Sequence, residues 1–236
     1  MGSVIGVIGG SGGVGASSFA AVLAAVAGRS LLIDLDVTGG GIDVTLGVEA
    51  TAGARWSGLR VAGGHLDADE LLTALPHWGP VAVLAADVPT LDADAVLQVI
   101  DTARAAVTVV LDLPRASCAE RAAALCACDL VVVVARGDVD GLVAAHALTV
   151  GLPEVPAGLV LRRGEVAERD VAAVVGHEVL GVLPPLRATS RPLQAARLPR
   201  RLVRVAAGVL GGVGVFEGGG TDLAVERRPP SAVALS

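Results

Sequence analysis

The sequence contains no lysine; all eighteen of its basic residues are arginine. It also has no tyrosine, and only two phenylalanines and two tryptophans in 236 residues. So few aromatics exclude a base-stacking platform for single-stranded nucleic acid. The net charge of −6 excludes a global basic field for holding DNA, so no specific nucleic-acid partner is expected. Cysteine is scarce too. Cys118, Cys126 and Cys128 are odd in number, and two stand one residue apart, which does not suggest a disulfide framework. They are too few for a four-thiolate zinc site. They read as small buried hydrophobes of a protein in reducing cytoplasm. Long apolar runs are missing as well. The uncharged stretch from Gly2 to Gly28 is interrupted by Gly9, Gly10, Gly12, Gly13 and Gly15. Its unbroken part, Phe19 to Ala27, falls far short of the ~20 residues of a membrane span. Without a basic n-region it does not read as a signal peptide.

What is present points to a folded α/β protein. Hydrophobic residues make up 53% and charged residues 18%, against typical shares of about 45–50% and about 25%. That excludes a disordered chain. Short apolar runs at Val4–Ile8, Leu31–Leu35, Val81–Ala85, Thr108–Leu113, Leu130–Ala135, Gly158–Leu161 and Val179–Leu183 read as strands. Continuously apolar strands, buried on both faces, indicate a parallel sheet. Helical spacing recurs over Ala16–Ala27, Leu91–Ala106, Ser117–Cys128, Val139–Val150 and Val166–Val175. Asp92 and Asp138 fall at N-cap positions, and Asp67, Asp69 and Glu70 suit the start of a further helix.

The expected architecture is therefore one doubly wound α/β domain over residues 1–210, with a mostly parallel sheet of about seven strands flanked by helices. Residues 211–236, rich in Gly, Pro and Arg, read as a loosely ordered tail. Arg197–Leu210 reads as a final helix packed on the sheet, with a membrane-surface or partner-binding helix as the alternative.

The densest motif is Gly9-Gly10-Ser11-Gly12-Gly13-Val14-Gly15-Ala16-Ser17-Ser18, between the first strand and the first helix. Glycines there let backbone N–H groups converge on an anion, and the helix N-terminus adds partial positive charge. Gly10, Gly15 and Ser17 fit the phosphate-loop pattern G-x-x-x-x-G-K-[ST], with Ala16 in place of lysine. Gly10, Gly12 and Gly15 equally fit the dinucleotide pattern G-x-G-x-x-G, with Asp34 or Asp36 as its acidic residue. Spacing alone leaves the two readings nearly even.

More of the chain bears on that choice. Asp34-Leu35-Asp36, followed by Asp43 and Gly47, forms a segment D-x-D…D-x-x-x-G. Val109 to Arg115 reads V-V-L-D-L-P-R, and Leu180 to Pro184 reads L-G-V-L-P. With Ser11 to Ser17, these resemble the MinD/ParA group of deviant Walker ATPases and, within it, the CpaE/TadZ-like branch and its actinobacterial septum-site-determining or secretion-neighbourhood subgroup. The likeness spans about residues 3 to 205 and implies the P-loop NTPase fold of that group.

The resemblance implies a set of roles. Gly10, Ser11, Gly12, Gly13, Val14, Gly15, Ala16, Ser17 and Ser18 would surround the phosphates of ATP or ADP. Ser17 and Asp112 would hold Mg²⁺, partly through water, and Asp36 would position the attacking water or complete the metal shell. The group uses two loop lysines, and here Ser11 and Ala16 stand in their places. A charge-assisted hydrogen bond is worth about 1.5–3 kcal/mol. Losing two weakens nucleotide binding by about a hundred- to ten-thousandfold, or abolishes it. Arg115 and Arg136, after strand ends on the ligand side, are candidate compensating cations, against a plainer reading as solvated or salt-bridged surface. The position where relatives read adenine falls at Leu161 or Arg162, and Arg162-Arg163 otherwise reads as a solvated pair.

The implied function is a positioning or regulatory protein for pilus or secretion machinery, or for septum formation, with little or no ATP hydrolysis. Implied partners are a second copy of the chain, a secretion or pilus ATPase or the division machinery, and a membrane surface contacted by 197–210. The implied location is the cytoplasm, with recruitment to the inner membrane surface or a cell pole. Two alternatives stay open: a slow Mg-ATPase switch that dimerises on ATP, and an NAD(P)-binding oxidoreductase. His65, His77, His146 and His177 share no metal or triad spacing with a nucleophile.

Overall fold

The computed structural model describes residues 1–59, 66–184 and 193–215. Among them, eight strands form one sheet: β1 (Val4–Gly9), β2 (Ser30–Asp34), β3 (His77–Trp78), β4 (Val81–Leu84), β5 (Thr108–Leu113), β6 (Leu130–Arg136), β7 (Ala157–Arg162) and β8 (Glu178–Leu183). Their spatial order is β3-β4-β2-β5-β1-β6-β7-β8. All neighbouring pairs are parallel except β3 with β4.

The helices are α1 (Ala16–Ala27), α2 (Ile42–Leu46), α3 (Ala68–Ala74), α4 (Ala93–Arg104), α5 (Ala119–Ala127), α6 (Val139–Val150), α7 (Glu168–Val175) and α8 (Arg200–Gly212). They cover both faces of the sheet. Ile5 and Val7 of β1 join a core with α1, α2 and α8, while Val4 and Ile8 join a second core with α3 to α7. That two-residue alternation within fully apolar strands is the signature of a sheet buried on both sides. Every residue of α1 from Phe19 to Val26 is buried, because the sheet lies on one side and α8 on the other.

Asp67, Asp92 and Asp138 each cap a helix, their carboxylates accepting from backbone N–H groups of the first turn. The strand absent from the sequence reading is β3. It has two residues and pairs antiparallel with β4, too short to show any alternation. The last helix packs on α1 and β8, as the first reading of Arg197–Leu210 expects. Val213 and Val215 pack against the same core, and residues 216–236 of the expected tail lie outside the described residues.

The strand order separates the two readings of the glycine loop. In the dinucleotide fold the first strand lies beside the second. Here β5 lies between β1 and β2. The chain leaving the loop therefore passes over β5, and β5 delivers its C-terminal carboxylate beside the loop.

Candidate functional site

The site lies at the C-terminal ends of the central strands, where an open α/β sheet leaves a crevice. The Gly10 N–H donates to the Val134 carbonyl at 2.9 Å, tying the loop to β6. Gly10 is thus an anchor, its N–H already committed. Gly13 (φ 67°) and Gly15 (φ 87°) adopt left-handed backbone that a side chain disfavours. Nothing stands within 4 Å of where a methyl group at Gly13 would be. At Gly12 the one neighbour within that range is the Arg115 guanidinium, with Nη1 at 3.8 Å. The backbone at Gly12 and Gly13 is thus open among the described residues.

Gly15 caps α1, no side chain bonds the first N–H groups of that helix, and its first turn holds no acidic residue. Its positive end is left unneutralised. Val14 is buried, Ala16, Ser17 and Ser18 are half-buried at the start of α1, and Ser11 Oγ is buried with no partner among the described residues.

Three aspartates cluster at the ends of β2 and β5, and one of them, Asp112, lies beside the loop residue Ser17. Asp112 closes β5 and is 4% exposed. Burial and the Asp34 charge push its carboxyl up to about 7, against a hydrogen bond donated by the Ser17 hydroxyl that favours ionisation. Asp34 closes β2 as its register partner. Burial raises Asp34 to about 6, although the N–H groups of Asp36 and Ile42 donate to its two oxygens at 3.0 Å each. Its carbonyl accepts from the Trp56 indole N–H at 3.0 Å. Asp34 therefore ties down the chain between β2 and α2.

Asp36 is only partly buried. Its carboxylate accepts from the N–H and hydroxyl of Thr38 at 3.2 and 2.8 Å, forming a turn in the exposed segment before α2. Asp43 lies in α2 and pairs with Arg55 at 3.7 Å, and Gly47 caps that helix in left-handed backbone.

The arginines divide sharply. Arg162, read from sequence as solvated, is 6% exposed. Its Nε donates to the Val14 carbonyl at 3.0 Å and its Nη1 to the Pro184 carbonyl at 3.1 Å. Burial lowers its pKa. It thus clamps the loop to the end of β8. The signal was its place as the last residue of an apolar strand. Arg163 beside it is exposed. Arg136 is ion-paired with Asp138, the α6 cap, at 3.2 Å. Arg115 is exposed, and among the described residues its guanidinium has no hydrogen bond or ion pair.

The other candidates sit apart. Cys128 is buried, with its thiol pushed up to about 12, but Cys126 is exposed, contrary to the buried reading. His77 and His177 bond backbone carbonyls, His146 is exposed, and His65 lies outside the described residues.

Tested against Mg²⁺ and a nucleotide, these residues fit in part. Open glycine backbone at a helix N-terminus suits phosphate. A hydroxyl beside a carboxylate suits Mg²⁺, which takes its remaining ligands from phosphate and water. No side-chain cation comes from the loop itself.

No family model matches the chain. It is 40% identical over 216 residues to two proteins of Mycobacterium tuberculosis, Uncharacterized protein Rv3660c of strain H37Rv and Uncharacterized protein MT3760 of strain CDC 1551. The match covers 87% of this chain and 62% of each of those proteins, so the chain spans about three-fifths of their length. Solved structures with the same fold include the MinC:MinD cell division protein complex of Aquifex aeolicus (TM-score 0.72, 18% identity, 89% of this chain and 96% of that one). The ParA family ATPase of Chlorobium tepidum (0.68, 18%, 90% and 92%) is another. So is the septum site-determining protein MinD of Pyrococcus horikoshii, complexed with Mg-ADP (0.66, 16%, 90% and 98%). The chain has the fold of the MinD/ParA P-loop ATPases. Among the described residues, no helix is long and apolar enough to cross a membrane.

Proposed function

We propose that this chain is a positioning or regulatory protein of the MinD/ParA type, in the manner of the CpaE/TadZ-like branch, with a degenerate nucleotide site. It binds Mg-ATP or Mg-ADP weakly and hydrolyses ATP little or not at all. The observation that carries this reading is a mismatch within one site. The glycine loop has the backbone this reading needs, with Gly13 and Gly15 left-handed and the Ser17 hydroxyl beside the Asp112 carboxyl. Yet Ser11 and Ala16 occupy the lysine positions, and the sequence offers no lysine elsewhere. Phosphoryl transfer depends mainly on electrostatic stabilisation of the transferring group. A loop without its cations keeps the seat for phosphate and loses most of the rate.

By the same reading, Asp112 and Ser17 hold Mg²⁺ and Asp36 faces the metal or its water. Two copies of the chain pair through this face, and the assembly acts on pilus or secretion machinery or on the division septum. Calorimetric titration of Mg-ATP into the purified chain, with mass in solution followed alongside, tests it. Weak binding without measurable turnover supports the reading, and no heat at millimolar nucleotide ends it.

A second reading, a slow Mg-ATPase switch that dimerises on ATP, is favoured by Asp36 lying on the turn next to the Asp34–Asp112 pair. Turnover that Asp36→Ala abolishes would establish it in place of the first.

A further inference from the structure

The geometry points to Arg115 as the phosphate-binding cation of this loop, supplying from the end of β5 the charge that the loop lacks. The assignment rests on the reading of the loop as a nucleotide site and names the group that makes it work. Its ligand class is the terminal phosphates of a nucleoside di- or triphosphate.

Three observations carry it. The first is position: Nη1 of Arg115 lies 3.8 Å from where a methyl group at Gly12 would stand, and apart from Gly12 and its chain neighbours no other heavy atom of the described residues comes within 4 Å there. The guanidinium therefore overhangs the open glycine backbone. The second is availability. Arg162 is committed to the Val14 and Pro184 carbonyls, and Arg136 is paired with Asp138. Among the described residues Arg115 has no partner for its guanidinium.

The third is support. Arg121, 7% exposed, donates from Nη1 to the Arg115 carbonyl at 2.6 Å. That bond fixes the turn between β5 and α5 from below and presents the Arg115 side chain outward. A free guanidinium held on a fixed backbone, beside Gly12 and Gly13 N–H groups that have no partner among the described residues, is the geometry of a bidentate phosphate ligand. A lysine rising from α1 would approach the phosphates from within the loop. Arg115 approaches from the Gly12 side, so it contacts the terminal phosphate.

The test uses the full chain and calorimetric titration with Mg-ATP, Mg-ADP and inorganic pyrophosphate. The variants are Arg115→Ala, Arg115→Lys and, as a control of equal charge change, Arg136→Ala. Arg115 is exposed and, among the described residues, its guanidinium has no hydrogen bond or ion pair, so thermal unfolding of its variants should match the parent. The expected result is a loss of affinity of about tenfold to a hundredfold in Arg115→Ala for all three ligands. Arg115→Lys should retain most of the affinity, and Arg136→Ala should stay within about twofold of the parent.

If the parent binds and Arg115→Ala binds equally well, the assignment is overturned while the nucleotide reading stands. If Arg136→Ala weakens binding as much as Arg115→Ala, only the general field matters and the assignment is again overturned. If the parent binds none of the three at millimolar concentration, the nucleotide reading fails and takes the assignment with it.

Discussion

Asp34 and Asp112 are register partners at the C-terminal ends of β2 and β5, two carboxyl groups side by side where both strands are buried. The Leu35 N–H donates to the Asp112 carbonyl at 3.0 Å, extending the pairing one residue past β2. Two like charges so placed resist ionising together, and burial resists either alone. The pair is held at about 6 and about 7, far above the ordinary carboxylate range.

Stability should therefore fall as pH rises. In the unfolded chain both groups lose their protons near pH 4, whereas in the folded chain they keep them until about 6 and 7. Between those values the folded state binds more protons than the unfolded state, so stability decreases with pH until both folded groups have titrated. Each carboxyl contributes at most about 1.4 kcal/mol per pH unit to that slope. Urea unfolding at pH 5, 6, 7 and 8 measures it. Asp112→Asn should flatten the slope and exceed the parent in stability at pH 8. A less stable variant at that pH would sink the idea.

Restoring the lysine should restore affinity. Ala16 opens α1 with its side chain half-buried at the loop. Ala16→Lys should tighten Mg-ATP binding by about tenfold to a hundredfold, the value of one charge-assisted hydrogen bond. An unchanged dissociation constant would mean that charge is not what the loop lacks.

Arg162→Ala should destabilise the fold. The change strips the Val14 and Pro184 carbonyls of their donor and opens a cavity between β7 and the loop. The expected loss is about 2–4 kcal/mol in urea unfolding. A loss under about 1 kcal/mol would show that water replaces the clamp at no cost. The exposed neighbour Arg163 is the control, and Arg163→Ala should change stability by less than about 0.5 kcal/mol.

Gly13→Ala should separate conformation from contact. At φ 67° an alanine costs about 1–2 kcal/mol in backbone strain, while its methyl group meets nothing. Unfolding should record that cost. Nucleotide affinity should fall by more than the strain alone, because the loop relaxes its N–H groups away from the ligand. Equal losses would mean that Gly13 serves the fold only.

Much of this was legible beforehand. The β-branched runs and the glycine loop carry local signals, so seven strands, the loop and the caps Asp92 and Asp138 were readable from spacing. What escaped depends on tertiary neighbours. β3 exists only because His77 and Trp78 lie against β4. The five-residue α2 is too short for a periodic pattern and is held by Asp34 through the Ile42 N–H. Arg162 and Arg163 are the same residue type side by side, told apart only by where β7 ends. Which one turns inward is decided by the Val14 carbonyl, 148 residues away. The tie between two glycine-loop patterns was tipped in the sequence by the motifs at Asp34–Asp36, Val109–Arg115 and Leu180–Pro184, and β5 lying between β1 and β2 agrees with that choice.

The hydrogen bonds around the loop differ in how they can open. Gly10 N–H to Val134 and Leu35 N–H to Asp112 sit among central strands with no exposed edge. Their protons should exchange with solvent only when the whole domain unfolds. Thr38 to Gly40 on the facing lip are exposed, and the Thr38 N–H is held by one side-chain oxygen. Those protons should exchange through local fluctuation. The crevice thus has an immobile floor and compliant edges, and ligand-induced protection should appear at the exposed Gly12 and Gly13 and on the Thr38 to Gly40 lip, not on the floor.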